Sequence, residues 1–180
     1  MFVRRKKVKG NTYYQLVRST REDGKHKQKV LCHLGRHKSL EAAIAAERAL
    51  AERHELEAAY CSEEAQVIKD VCLEEYAEEI GGDFPSRNQA YLRWRAFSKE
   101  SNKSWESAFH ESLTSPGGWN MGEWDKWKQT WRERVEFERQ LLNLVYEHHD
   151  EQDEARRHNK WAATHRKTLN KFLECKRKYF

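Results

Sequence analysis

Lys25, Lys27 and Lys29 stand at every second position of one short stretch, and in an extended strand that spacing carries three ammonium groups to one side. Their chemistry is charge neutralisation: lysines on a strand face pair with nucleic-acid phosphates and release counterions. Arg4, Lys6 and Arg18, where they share that face, can contact phosphate or guanine edges, and His33 and Arg36 add further donors. The sequence leaves the parity of Arg4 and Arg18 open. A competing reading is that strand lysines protect an exposed sheet against edge-to-edge aggregation. A second basic run holds Arg156, Arg157, Lys160, Arg166, Lys167 and Lys171, continuing to Lys176, Arg177 and Lys178. It is either a solvated helix face or a second phosphate-tracking surface.

Other chemistries lack their residues. The eight glycines fall at turns, without the offsets of a phosphate-cradling loop or a dinucleotide fingerprint. Cys32-His33 with His37, and His148-His149 with Asp150 and Asp153, are the clusters to weigh as metal ligands, and each falls short of a four-ligand set. His148 and His149 read instead as exposed helix residues. Cys32, Cys61, Cys72 and Cys175 are scattered and read as reduced thiols. Carboxylates are plentiful, but sequence does not show which two converge. Catalytic residues, metal and cofactor are each read as none.

The chain has 180 residues with 34 Lys+Arg against 29 Asp+Glu, a net charge of +5, and a mean hydropathy of −1.08. Seven each of Trp, Tyr and Phe supply a modest core, which argues against full disorder. No apolar stretch approaches the roughly 18 residues that span a bilayer. Met1 to Lys7 is basic but has no apolar region behind it, so no secretory signal is read and a cytoplasmic location is expected. Charge is segregated along the chain: residues 1–38 carry a net +10, 39–80 a net −9, 81–118 a net +1, 119–154 a net −5 and 155–180 a net +8. An anionic partner is drawn to the basic ends.

The elements that must position these groups begin with strands over residues 2–8, 12–20 and 25–34, joined by turns at Lys9-Gly10-Asn11 and Arg21-Glu22-Asp23-Gly24. Strict alternation puts His26, Gln28, Val30, Cys32 and Leu34 on one face of the third strand. The other face then holds Lys25, Lys27, Lys29, Leu31 and His33. Ser39 caps a helix whose stripe of Leu40, Ala43, Ile44, Glu47, Leu50, Ala51 and His54 covers the sheet. A break is expected near Tyr60, with Ser62 capping a second helix. Gly81-Gly82-Asp83-Phe84-Pro85 is a clear boundary, after which Ser86 and Gln89 form a capping box for a helix over 87–99. Tyr91, Leu92, Trp94 and Phe97 read as its core face.

A shorter helix holds Trp105, Ala108, Phe109 and Leu113, and a turn is expected at Thr114-Ser115-Pro116-Gly117-Gly118. Asn120 with Glu123 caps the tail, whose apolar face runs through Trp124, Trp127, Trp131, Val135, Leu142 and Val145. The tail is one very long helix or two helices broken near His148-His149-Asp150. The fold expected is α+β, a three-stranded antiparallel sheet plus helix over 1–60 and a mostly helical domain over 61–180, with a hinge near 81–86.

Phe2-Val3-Arg4-Arg5-Lys6-Lys7, the run from Tyr13-Tyr14-Gln15-Leu16-Val17-Arg18 to Lys25, and Gln28-Lys29-Val30-Leu31-Cys32-His33-Leu34-Gly35-Arg36-His37 resemble the amino-terminal region of insertion-sequence DDE transposases. The resemblance covers about residues 2–37 and implies a DNA-contacting appendage. Such transposases also need an RNase H-like domain with three separated carboxylates, whereas the rest of this chain reads as helical, so no catalytic residue is carried over. The leading reading is a non-catalytic accessory or regulatory protein related to mobile elements that binds double-stranded DNA, with single-stranded DNA and RNA as other polymers. The alternative is a helical interaction scaffold whose Trp-rich helices dock a protein partner or a second copy. A metal-dependent nuclease is the third reading.

Overall fold

The structure, a computed structural model, describes residues 1–22, 24–114 and 121–180, with the side chains of Ser112 and Leu113 outside that description. The expected turn at 115–118, the Asn120 cap and the Asp23 position of the hairpin turn lie outside the described residues. Three strands, β1 (Phe2–Val8), β2 (Asn11–Glu22) and β3 (Lys25–Gly35), form an antiparallel sheet in the order β1-β2-β3. Among the described residues three helices follow, α1 (Leu40–Ile80), α2 (Arg87–Thr114) and α3 (Met121–Tyr179). The architecture is α+β, as the sequence predicts.

Turns and caps follow from local chemistry. Gly10 and Gly24 take φ of 82° and 73°, the left-handed region that glycine enters without steric cost. The Ser39 hydroxyl accepts the Ala42 N–H at 3.0 Å. Ser86 and Gln89 exchange bonds as a capping box: the Ser86 N–H donates to Gln89 Oε1 at 2.8 Å, and the Gln89 N–H to Ser86 Oγ at 3.3 Å. At the end of α1, Gly82 N–H donates to Ala77 O at 3.1 Å across a left-handed Gly81.

The helices are longer than the sequence predicts. The backbone stays helical through Tyr60 and Ser62, and the departure in α1 falls at Tyr76, with φ −124° and ψ 17°. The segments read as separate helices over 87–99 and 105–113 are one, α2, and α3 passes His148-His149-Asp150 without interruption over 59 residues. None of the expected breaks holds a glycine or proline, so nothing removes a backbone donor or forces a left-handed residue there.

The chain divides into two compact units, one of Met1–Tyr60 with Ala155–Phe180 and one of Cys61–Glu154. In the first, Leu16, Leu34, Leu40, Ala43, Ile44, Phe172 and Cys175 form the core, with Tyr14, Leu31 and Cys32 against it. Here α1 and α3 run antiparallel: Glu47 bonds His165 Nδ1 at 2.7 Å, and His54 Nδ1 meets His158 Nδ1 at 3.0 Å. Burial pushes the Cys32 thiol up to about 11, with Cys175 beside it adding to the shift. In the second unit Cys72, Tyr76, Ala90, Leu141 and Val145 pack together. The Glu138 carboxylate, almost wholly buried, is held there by Arg93 through two bonds of 2.8 Å and by Arg134 at 2.7 Å.

Two sequence expectations about side chains are corrected in this unit. Tyr91 and Leu92 stay exposed, and of that stripe only Trp94 and Phe97 are half-buried, their rings 5.9 Å apart. His148 is buried rather than exposed, donating from Nδ1 to the Ala65 carbonyl at 2.6 Å with Phe84 4.3 Å from its ring. Burial holds its pKa below the ordinary 6.5. A histidine whose folded pKa is depressed is protonated more readily in the unfolded chain, so its contribution is complete above pH 6.5 and is lost as pH falls below that value. Denaturant unfolding followed from pH 8 to about pH 5 is expected to show stability falling through this window. His148→Gln, which keeps a donor for Ala65, should flatten that slope.

Candidate nucleic-acid interface

Pairing register decides which side chains share a face, because cross-strand partners point the same way. β1 meets β2 without irregularity: Phe2 pairs with Val17, Arg4 with Gln15 and Lys6 with Tyr13. β3 meets β2 with two shifts, one between Tyr14 and Gln15 and one between Leu16 and Val17. Along β2, the partners in β3 step from Gly35 to His33 and from Cys32 to Val30, so β3 carries an extra residue at each shift, Leu34 and Leu31. Both are turned into the core beside Cys32.

Strict alternation therefore fails at Leu31. Lys25, Lys27 and Lys29 lie on the face of Leu16 and Arg18, the face that α1 and the end of α3 cover farther along the strands, and they do not share a face with His33. They project from the end of the β2–β3 hairpin beyond that cover, all three exposed. Arg18 stands directly opposite Lys29 in register. Lys27 is paired with Glu22 at 3.0 Å, an exposed bridge of little energetic weight. Arg36 follows the strand in an exposed turn.

The opposite face takes Arg4, Lys6 and His33 from the expected set and adds Gln15, Gln28, His26, Arg21 and Tyr13, which the sequence reading did not single out. Phe2, Tyr13, His26, Gln28 and His33 are exposed there, so the face is open around the buried side chains of Gln15 and Val17. A hydrogen-bonded chain crosses it. Arg4 Nη1 donates to Gln28 Oε1 at 3.0 Å and Arg4 Nη2 to Gln15 Oε1 at 2.7 Å, while Gln15 Nε2 meets His33 Nδ1 at 3.1 Å. Val30-Leu31-Cys32 was the legible signal: three successive apolar residues cannot all belong to one face of an unbulged strand.

On α3, Arg166 is engaged by Glu55 through both its Nε and Nη2. Arg156, Arg157, Lys160, Lys167 and Lys171 are exposed. Lys160, Lys167, Lys171 and Lys178 recur at a spacing that the 3.6-residue turn keeps in one stripe, about 27 Å long. Among the described residues no three of His, Cys, Asp and Glu converge as a metal-holding group. His148 and His149 bond the Ala65 and Pro85 carbonyls, and Asp150 and Asp153 engage Arg87. A cavity of about 360 Å³ in the second unit has the already satisfied Arg93 and Glu138 as part of its wall. No described helix is long and apolar enough to cross a membrane.

The first unit thus holds a small basic sheet with helices packed against one of its faces. Residues 3–65 match the family model for the IS1634 family transposase, N-terminal domain, which takes in the sheet and the start of α1 as far as Ala65. That relates this segment to mobile elements. No curated protein and no solved structure matches the chain.

The network fixes a tautomer. Arginine has no acceptor, so Gln15 turns Oε1 toward Arg4 and its amide N–H toward His33, which must accept at Nδ1 and carry its proton on Nε2. Long-range ¹H–¹⁵N spectra of neutral His33 should show a pyridine-like Nδ1 and a pyrrole-like Nε2, and Gln15→Leu should erase the preference.

Proposed function

We propose that the sheet unit binds double-stranded DNA and that the chain acts as a non-catalytic accessory or regulatory protein related to mobile elements, working in the cytoplasm. The observation that carries this is the cationic ladder on the hairpin. Like charges directly opposite one another on a sheet are destabilising, yet Arg18 faces Lys29, and Lys27 and Lys25 follow on the same side with Glu22 as the one carboxylate answering both. A phosphate backbone relieves that repulsion and is the polyanion such a ladder suits. Charge over the whole unit agrees. The first unit holds 23 Lys+Arg against 8 Asp+Glu, a net of +15, whereas the second holds 11 against 21, a net of −10. The match to a transposase N-terminal domain supports the same reading.

Lys25, Lys27, Lys29, Arg18 and Arg36 hold phosphates in this reading, and the α3 stripe of Arg156, Arg157, Lys160, Lys167 and Lys171 extends the track. Arg166, tied to Glu55, contributes less. A second reading concerns the acidic unit. Trp105 sits 5.1 to 5.6 Å from the rings of Trp124, Trp127 and Trp131, and Tyr91 and Leu92 are exposed. These helices dock a protein partner or a second copy, since a net charge of −10 is repelled by DNA.

Fluorescence anisotropy with duplex DNA, single-stranded DNA and RNA across a salt series is the direct test. Tight, salt-sensitive binding to duplex is expected, and absence of binding at low salt would leave the scaffold reading in its place. Replacing Lys25, Lys27 and Lys29 together by Ala should weaken binding and reduce the slope of log K against log salt by about two to three units, at roughly 0.9 per phosphate. An unchanged slope in the folded triple variant would remove the hairpin from the interface.

A further inference from the structure

The open face carries an ordered set of hydrogen-bond donors, and we infer that Arg4, Gln28 and His33 read guanine edges in the DNA major groove. This rests on the DNA-binding reading above and adds to it which side chains sense sequence. Arg4 can only donate, so both glutamines must present Oε1 to it. Gln28 then directs its amide N–H₂ away from Arg4 from an exposed position. Gln15 spends its own N–H on His33 Nδ1, which leaves the Nε2–H of exposed His33 as the outward group. The acceptors of Gln15, Gln28 and His33 that the network engages are thus satisfied within it. What remains for a partner is donors: the Gln28 amide, the His33 Nε2–H and the further N–H groups of Arg4.

A donor array selects among base edges. Guanine offers two adjacent major-groove acceptors, N7 and O6, whereas thymine offers one beside a methyl group, cytosine an amino donor, and adenine one acceptor beside one donor. Donors facing donors leave both unpaired, so guanine is the base that this face fits. The dimensions agree. From β1 to β3 the network spans two strand spacings, about 10 Å, against a major groove about 12 Å wide that admits β-structure. Gln15, 6% exposed at the centre, does not reach a base. It is a positioning residue that orients Arg4 and His33 together. Phosphate oxygens are acceptors too, so the test must separate the two sources.

The experiment is selection from a random-sequence duplex library with the full chain, followed by affinity measurements on the enriched duplexes. Wild-type protein should enrich guanine-containing sites, and 7-deazaguanine, which lacks N7, should weaken those sites about tenfold or more. Arg4→Ala, Gln28→Ala and Gln15→Leu should lose the guanine preference, the last only if circular dichroism shows it folded; Gln28→Ala alters an exposed side chain and serves if it is not. The salt slope of Gln28→Ala should match wild type. The triple lysine variant should show the reverse pattern, with guanine preference kept and the slope reduced. Binding indifferent to 7-deazaguanine, or unaltered preference in Arg4→Ala and Gln28→Ala, would assign the donors to phosphate and overturn the inference. Duplex binding without sequence preference overturns it alone, while no duplex binding at all overturns the DNA-binding reading beneath it.

Discussion

Two extra residues in β3 set what the sheet can do. A strand that alternates strictly gives one face to every second residue, and a slip of one position turns every side chain over. By inserting Leu34 and Leu31 against β2, β3 brings Leu31, Cys32 and Leu34 to the side where Leu16, Leu40 and Phe172 pack. The same insertions settle what the solvent meets. Gln28 and His33, of opposite parity in sequence, both reach the open face. The core is anchored by apolar burial at roughly 25 cal/mol per Å², so the polar network opposite inherits its register from the packing behind it.

The two faces consequently hold different kinds of positive charge. Lysines at the hairpin end are exposed, and a lysine ammonium is a point charge that neutralises a phosphate without discriminating between bases. Arg4 is half-buried and fixed by two glutamine oxygens, so its guanidinium has a set plane before any partner arrives. Preorganisation of that kind reduces the ordering entropy that binding would otherwise cost. In the proposed reading, affinity and sequence discrimination fall to separate surfaces of one small sheet.

Strands, turns and caps were legible because each is specified by a few neighbouring residues: Gly10 and Gly24 at positive φ, Ser39 at an N-cap, Ser86 with Gln89 in a capping box. Helix lengths were not, since polar stretches such as residues 99–104 resemble linkers in composition while containing nothing that stops a helix. Burial of His148 depended on the Ala65 carbonyl, a partner 83 residues away. In the candidate site the residue types were legible and their grouping was not. Alternation is the correct rule for a regular strand, and the run Val30-Leu31-Cys32 was the local sign that β3 departs from it. Gln15 and Gln28 carried no charge to draw attention, and their roles arise only from standing on either side of Arg4.

Internal pairing differs between the two units. In the second unit several cations are answered in place: Glu138 takes Arg93 and Arg134, and Asp150 and Asp153 take Arg87. The Arg93 and Arg87 pairs cross between α2 and α3 beside a core of Tyr76, Leu141 and Val145, whereas Arg134–Glu138 lies within α3. The first unit has 8 carboxylates for 23 cations, and four of them, Glu22, Glu47, Glu55 and Glu57, are engaged by Lys27, His165, Arg166 and Arg53. Its surplus of positive charge is therefore left to counterions from solution. A polyanion that displaces those ions gains their release entropy, a driving force available to the sheet unit through the same imbalance that makes its folded state self-repelling.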